Sequence, residues 1–146
     1  MNKEYAIVTD GSCDLPKELC QEKGITVVPF YVSFDGEKYE KEIVEMPIRQ
    51  FYEDMVNNPK VFPKSSMPSV QDYMDAFMPI VQEGKAIICI CITTKFSGSM
   101  QSALNARMMI LEQYPDAEIT VIDATINTVL QGIYVLEAQK MKEAGV

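Results

Sequence analysis

Residues 70–92 read VQDYMDAFMPIVQEGKAIICICI, and two periodicities meet within them. Val70, Tyr73, Met74, Phe77, Ile80 and Val81 recur at the three-and-four spacing of one helix face, and Gly84 ends the run. Ala86 to Ile92 follows as an unbroken apolar segment. A strand reads this way when it lies in a parallel sheet covered on both faces. A helix feeding such a strand predicts an α/β fold.

The flanking sequence repeats the alternation. Downstream, the pattern predicts a helix from about Ser99 to Gln113, a strand from Glu118 to Asp123 and a final helix from about Asn127. Upstream, Tyr5 to Thr9 is short and β-rich and ends at the turn signal Asp10-Gly11-Ser12. Asp14 stands where an N-cap belongs, ahead of Pro16 and a short helix to about Lys23 that Gly24 stops. Ile25 to Phe34 reads as one extended segment, with Pro29 demoting it to an edge or bulged strand, and Asp35-Gly36 as a hairpin turn. Ile48, Phe51, Tyr52 and Met55 mark another amphipathic helix ending near Asn57-Asn58-Pro59. Met55, Met74 and Phe77 are expected in the core. The predicted architecture is a mostly parallel sheet with helices on both faces, in one domain over residues 1–146.

Composition narrows the chemistry. The 146 residues carry 13 basic and 21 acidic side chains and no histidine, a formal charge of −8. That balance opposes nucleic-acid binding, which needs clustered Lys and Arg. Lack of histidine removes Ser-His-Asp and Cys-His catalysis and His-containing zinc sites from this chain. The N-terminus lacks a long apolar segment and a cleavage site, and no run approaches the ~20 apolar residues of a membrane span. Cys13, Cys20, Cys89 and Cys91 form no C-x-x-C pair, and Cys89 and Cys91 alternate with isoleucines as small hydrophobes on one strand face. They read as reduced structural residues of a cytoplasmic protein.

Ligands of open parallel sheets bind beyond the carboxyl ends of the strands. Three loops leave such ends: Asp10 to Pro16, Thr93 to Ser99, and Asp123 to Gly132. Thr93-Thr94-Lys95-Phe96-Ser97-Gly98-Ser99 joins a buried strand to a helix, so free N–H groups and the Ser97 and Ser99 hydroxyls are expected to converge as an anion site. Simple capping also accounts for these two serines. Ser69, with Asp72 three residues on, fits a capping box, which leaves Ser65 and Ser66 unexplained. Asp10, Asp14 and Asp123 form an alternative, as ligands of Mg²⁺ in a phosphoryl-transfer domain. The D-x-D of haloacid-dehalogenase-type phosphatases is broken, because Ser12 stands at its second position. Dinucleotide, P-loop and nucleophile-elbow motifs are absent.

Five motifs in order give the chain a family resemblance. They are Ile7-Val-Thr-Asp-Gly-Ser-Cys-Asp-Leu-Pro16, Ile25-Thr-Val-Val-Pro-Phe30, Ser65-Ser-Met-Pro-Ser69, Thr93-Thr-Lys-Phe-Ser-Gly-Ser-Met-Gln-Ser-Ala103 and Val121-Ile-Asp-Ala124. Together they resemble the DegV family over nearly the whole chain. The resemblance implies a bacterial cytoplasmic protein that is not itself an enzyme and uses no cofactor. Such a protein binds one long-chain fatty acid and holds its carboxylate for a separate dihydroxyacetone-kinase-like partner, as the accessory subunit of a fatty acid kinase system.

Carried onto this sequence, the resemblance places the carboxylate on Ser65 and Ser97, with Ser66, Thr94, Gly98 and Ser99 in support and no catalytic or metal-binding residue. Met67 replaces the family's Gln, and Gly11-Ser12 its Ser-Thr. By the same resemblance the chain is expected to correspond to the family's N-terminal domain, with the C-terminal domain absent from it. An apolar face normally covered by that domain is therefore expected to drive self-association, with Val129, Ile133, Val135, Leu136 and Met141 of the last helix contributing. A pure interaction domain is the remaining alternative.

Overall fold

The computed structural model describes residues 4–146. Four strands, β1 (Tyr5–Asp10), β2 (Thr26–Val28), β6 (Ala86–Cys91) and β7 (Ile119–Asp123), pair in parallel in the order β2-β1-β6-β7. The crossover from β1 to β2 is α1 (Lys17–Lys23), and that from β6 to β7 is α4 (Ser99–Gln113). Ahead of β6 lies α3 (Val70–Gln82), and α5 (Thr128–Glu143) follows β7.

Successive strand residues face opposite sides, and the two sides build two cores. Val8, Cys89 and Cys91 pack with Tyr73, Phe77, Ala106 and Ile110 of α3 and α4. Ile7 and Ile90 pack on the other face with Cys13, Cys20 and Val135, under α1 and α5. Coverage on both faces is why β6 tolerates no polar residue. The parallel α/β expectation holds, with β6 ending at Cys91 and Ser69 capping α3 in a full capping box with Asp72.

Three local expectations are corrected. Asp14 does not cap α1. It sits in the left-handed region, φ 52°, closing a 3-10 turn over Gly11–Cys13, and Pro16 occupies the N-cap. Ile25 to Phe34 is not one strand. Pro29 has no N–H to continue a ladder, so β2 stays in the parallel sheet while β3 (Tyr31–Ser33) enters a small antiparallel sheet. There it pairs with β4 (Glu40–Lys41) and β5 (Lys64–Ser66), in the order β4-β3-β5. Met55 is not in the core: α2 (Ile48–Asn57) contributes no buried residue, and Met55 is 37% exposed. Met74 is half-buried and Phe77 fully buried, as expected.

The last helix divides its apolar residues. Val135 is buried and Leu136 packs beside it, while Val129, Leu130, Ile133, Tyr134 and Met141 face outward. Among the described residues no helix is long and apolar enough to cross a membrane.

Candidate functional site

The chain leaves β1 toward one edge of the sheet and β6 toward the other, so the loops beyond these adjacent strands diverge. That divergence is a topological switch point, where open α/β sheets hold ligands. Asp10, the last residue of β1, occupies its floor and is fully buried. Its Oδ2 accepts from the Ile92 N–H at 2.9 Å and from the Ser99 hydroxyl at 2.8 Å, and its Oδ1 from Gln131 Nε2 at 2.9 Å. Burial pushes the Asp10 carboxyl up, and these hydrogen bonds oppose the shift. Gln131 also donates to Thr9 Oγ1 at 3.0 Å, tying α5 to the same floor.

Ser99 was expected to present its hydroxyl to a ligand, and the structure corrects this. Its side chain is fully buried, donates to Asp10 and lies 2.6 Å from the Tyr73 hydroxyl. Because the one Ser99 proton goes to Asp10, Tyr73 is the donor in that pair. The Ser99 N–H turns back to Ser97 Oγ at 3.1 Å. Ser97 is half-buried. Neither serine caps α4 through its side chain; Gly98 is the N-cap. Thr94 is committed as well, its hydroxyl donating to Asp123 at 2.7 Å. That bond and the Thr125 N–H hold the Asp123 carboxyl below its usual range.

Ser65 arrives from the small sheet, where it pairs with Val32. Both line a cavity of about 230 Å³ whose walls include Ser12, Ile92 and Thr128 from the loops of the large sheet. Ser66 is exposed beside it in β5. The two hydroxyl segments meet through Met67, whose Sδ would lie 2.8 Å from a Cβ at Gly98. Gly98 thus lets the 65–69 segment lie against the loop carrying Ser97.

Asp14 and Glu42 line the same cavity. Burial raises both carboxyls, and Glu42 is raised further by Asp14 and Asp10 while the Phe30 N–H opposes the shift. Glu42 lies against Gly11, where any Cβ would collide with its carboxylate. Asp14, Ile43 and Thr128 hold positive φ values of 52°, 69° and 55°. Such strain is costly for β-branched side chains and persists where surroundings impose it, often at ligand sites. Asp14 and Ile43 border a neighbouring cavity of about 370 Å³, walled also by Leu15 and Ile48.

Ser65 therefore lines the cavity, its segment meets the Thr93–Ser99 loop where Met67 lies against Gly98, and Thr94 and Ser99 are committed to Asp123 and Asp10. Asp10, Asp14 and Asp123 do not gather as a cation site: Asp10 accepts internal bonds on both oxygens, and Asp123 is occupied by Thr94 and Thr125. Among the described residues no three acidic or thiol side chains are grouped to hold a metal ion. Sequence reasoning missed Gln131, Tyr73 and Glu42. Tyr73 was legible only as a core aromatic, and a glutamine on a helix reads as solvated.

Comparison with known proteins bears on this geometry. The family model for DegV, described as an uncharacterised protein family, matches residues 4–146. A DegV domain-containing protein of Clostridium perfringens is 32% identical over 139 residues, 95% of this chain and 48% of that protein. Among solved structures, a stearic-acid-binding protein from Eubacterium ventriosum superposes with a TM-score of 0.94 at 46% identity, covering 97% of this chain and 48% of that one. A fatty-acid-binding DegV family protein from Thermus thermophilus gives 0.81 at 28% identity, covering 98% and 49%. The chain spans about half the length of the relatives it matches.

Proposed function

Because this chain belongs to the DegV family, we propose that it binds a long-chain fatty acid at the carboxyl end of its parallel sheet, as the family's N-terminal domain. Ser65 and Ser97 donate to the acid's carboxylate, Gly98 allows close backbone approach, Ser66 supports the rim, and Thr94 and Ser99 brace the loop. The observation that carries this reading is the cavity at the switch point. Ser65 lines it, and Met67 against Gly98 ties it to the Ser97 loop. At about 230 Å³ it is smaller than the roughly 300–1,000 Å³ of a drug-sized ligand pocket, so it suits a head group. The adjoining 370 Å³ cavity along Leu15, Ile43 and Ile48 gives the tail a continuation.

Hydrogen bonds to a charged group are worth about 1.5–3 kcal/mol each, and each buried CH₂ about 0.8 kcal/mol. The tail supplies most of the affinity and the serines supply orientation. Presentation of that carboxylate to a separate dihydroxyacetone-kinase-like partner rests on the family resemblance alone. The outward apolar residues of α5, Val129, Leu130, Ile133, Tyr134 and Met141, would favour self-association, which sedimentation across a wide concentration range measures.

Mass spectrometry of lipid extracted after native purification tests the ligand class, with a long-chain acid expected. Calorimetry tests the head group: Ser65→Ala or Ser97→Ala should each weaken binding by roughly 1–3 kcal/mol, with little change in ligand-free thermal stability. Unchanged affinity in the double variant would overturn the serine assignment.

A further inference from the structure

We propose that Asp10 is a positioning residue of the head-group site, one carboxylate that sets both the shape of the Thr93–Ser99 loop and the direction of the Ser97 hydroxyl. The proposal rests on the fatty-acid reading of the site. Its geometric basis is that a single oxygen, Oδ2, receives both ends of the loop. Ile92, just before the loop, donates its N–H at 2.9 Å, and Ser99, its last residue, donates its hydroxyl at 2.8 Å. The other oxygen is held by Gln131 from α5. The loop is cinched onto the end of a neighbouring strand.

The consequence reaches Ser97 through Ser99. With its side chain fixed on Asp10, Ser99 points its N–H at Ser97 Oγ, 3.1 Å away. That bond occupies an acceptor position on Ser97, and among the described residues the Ser97 O–H donates to no acceptor. A hydroxyl so arranged has its hydrogen available for an external oxygen. Tyr73, donating to Ser99 at 2.6 Å, helps hold the Ser99 hydroxyl inward on Asp10. An apolar residue at position 10 would fill the floor without the cost of burying an ionisable group, but it would hold neither end of the loop.

Asp10→Leu fills the floor at similar size and removes both ties to the loop. Asp10→Asn, by contrast, can keep its oxygen toward Ile92 and Ser99 and turn its amide to Gln131, whose Oε1 has no partner among the described residues. The test compares oleate with methyl oleate, which shares the tail and lacks the anionic head, on the whole chain. The wild type is expected to favour oleate, and Ser97→Ala to lose about tenfold or more of that preference. Asp10→Leu should lose a similar preference with Ser97 intact, leave methyl oleate affinity unchanged, and add nothing when combined with Ser97→Ala. Ser99→Ala, which removes one hydroxyl and leaves the carboxylate, should do the same and serves if Asp10→Leu does not fold. Hydrogen exchange of the 93–99 amides, measured without ligand, should quicken in both variants. A full oleate preference in Asp10→Leu and Ser99→Ala, or an equal loss for both ligands, would overturn the positioning role. A wild type whose preference does not depend on Ser97 would instead overturn the head-group reading, and the positioning role with it.

Discussion

In α3, Tyr73 and Phe77 are fully buried against the parallel sheet, whereas in α2 the residues at the same helical spacing, Ile48, Tyr52 and Met55, are 45%, 60% and 37% exposed. Both helices have an apolar stripe, and only one stripe is covered. Amphipathic spacing marks a face that can be buried, and topology decides whether anything lies over it. Here α3 runs across β6 beside α4, whereas α2 joins the small antiparallel sheet, and its aromatic contact there is Phe51 with Phe34, centroids 5.2 Å apart. The site inherits this asymmetry, a rigid floor from the large sheet and a lightly packed wall from the small one.

The sharpest way to break the comparison is to empty the α3 side. Phe77→Ala should destabilise the chain by about 3–5 kcal/mol, the usual cost of removing a buried aromatic ring, measured by urea unfolding. A cost below 1 kcal/mol would mean that the α3 face repacks freely and that the two helices differ less than their burial implies.

This asymmetry also explains what the sequence made legible. The large sheet and its helices were readable because each local signal, the Ala86–Ile92 run or the Ser69 capping box, agrees with what packs on it. The small sheet was not, because β3, β4 and β5 are two or three residues long and too short to show alternation. Motif resemblance singles out Ser65 as a carboxylate ligand, and Ser97 is singled out both by that resemblance and by the spacing of its loop. Hydroxyl spacing alone gave Ser99 the wrong direction, because nothing local reveals that its partner is Asp10, 89 residues away.

A smaller effect belongs to the link between the two regions. Asp72, in the first turn of α3, receives Tyr31 Oη at 2.9 Å and Lys41 Nζ at 2.9 Å, from β3 and β4 of the small sheet. Burial pushes its carboxyl up, but hydrogen bonds from Ser69, Lys41 and Tyr31 outweigh burial and hold it at about 2, below the ordinary 3.8. A depressed carboxyl stabilises the fold above its unfolded value, and that stability is lost as pH falls through the folded one. Asp72→Asn should therefore cost about 2 kcal/mol at pH 7, and the gap from wild type should narrow steadily below pH 4. Denaturant melts at pH 7 and pH 3 read this directly. A gap equal at both values would assign the loss to capping geometry instead of charge.

The smallest effect is expected on the uncovered stripe itself. Met55→Ala in α2 should change stability by less than about 0.5 kcal/mol, because a substitution at an exposed position removes little apolar contact and leaves no cavity. Alanine also raises helix propensity slightly, which offsets part of the loss. The measurement is the same urea titration, run at several protein concentrations. A cost approaching that of Phe77→Ala would show that Met55 is covered in solution, and its dependence on concentration would identify the cover. Stability that grows with concentration would place a second copy of the chain on α2. A cost independent of concentration would place another part of the same chain there, and the wall of the site would then be as firmly packed as its floor.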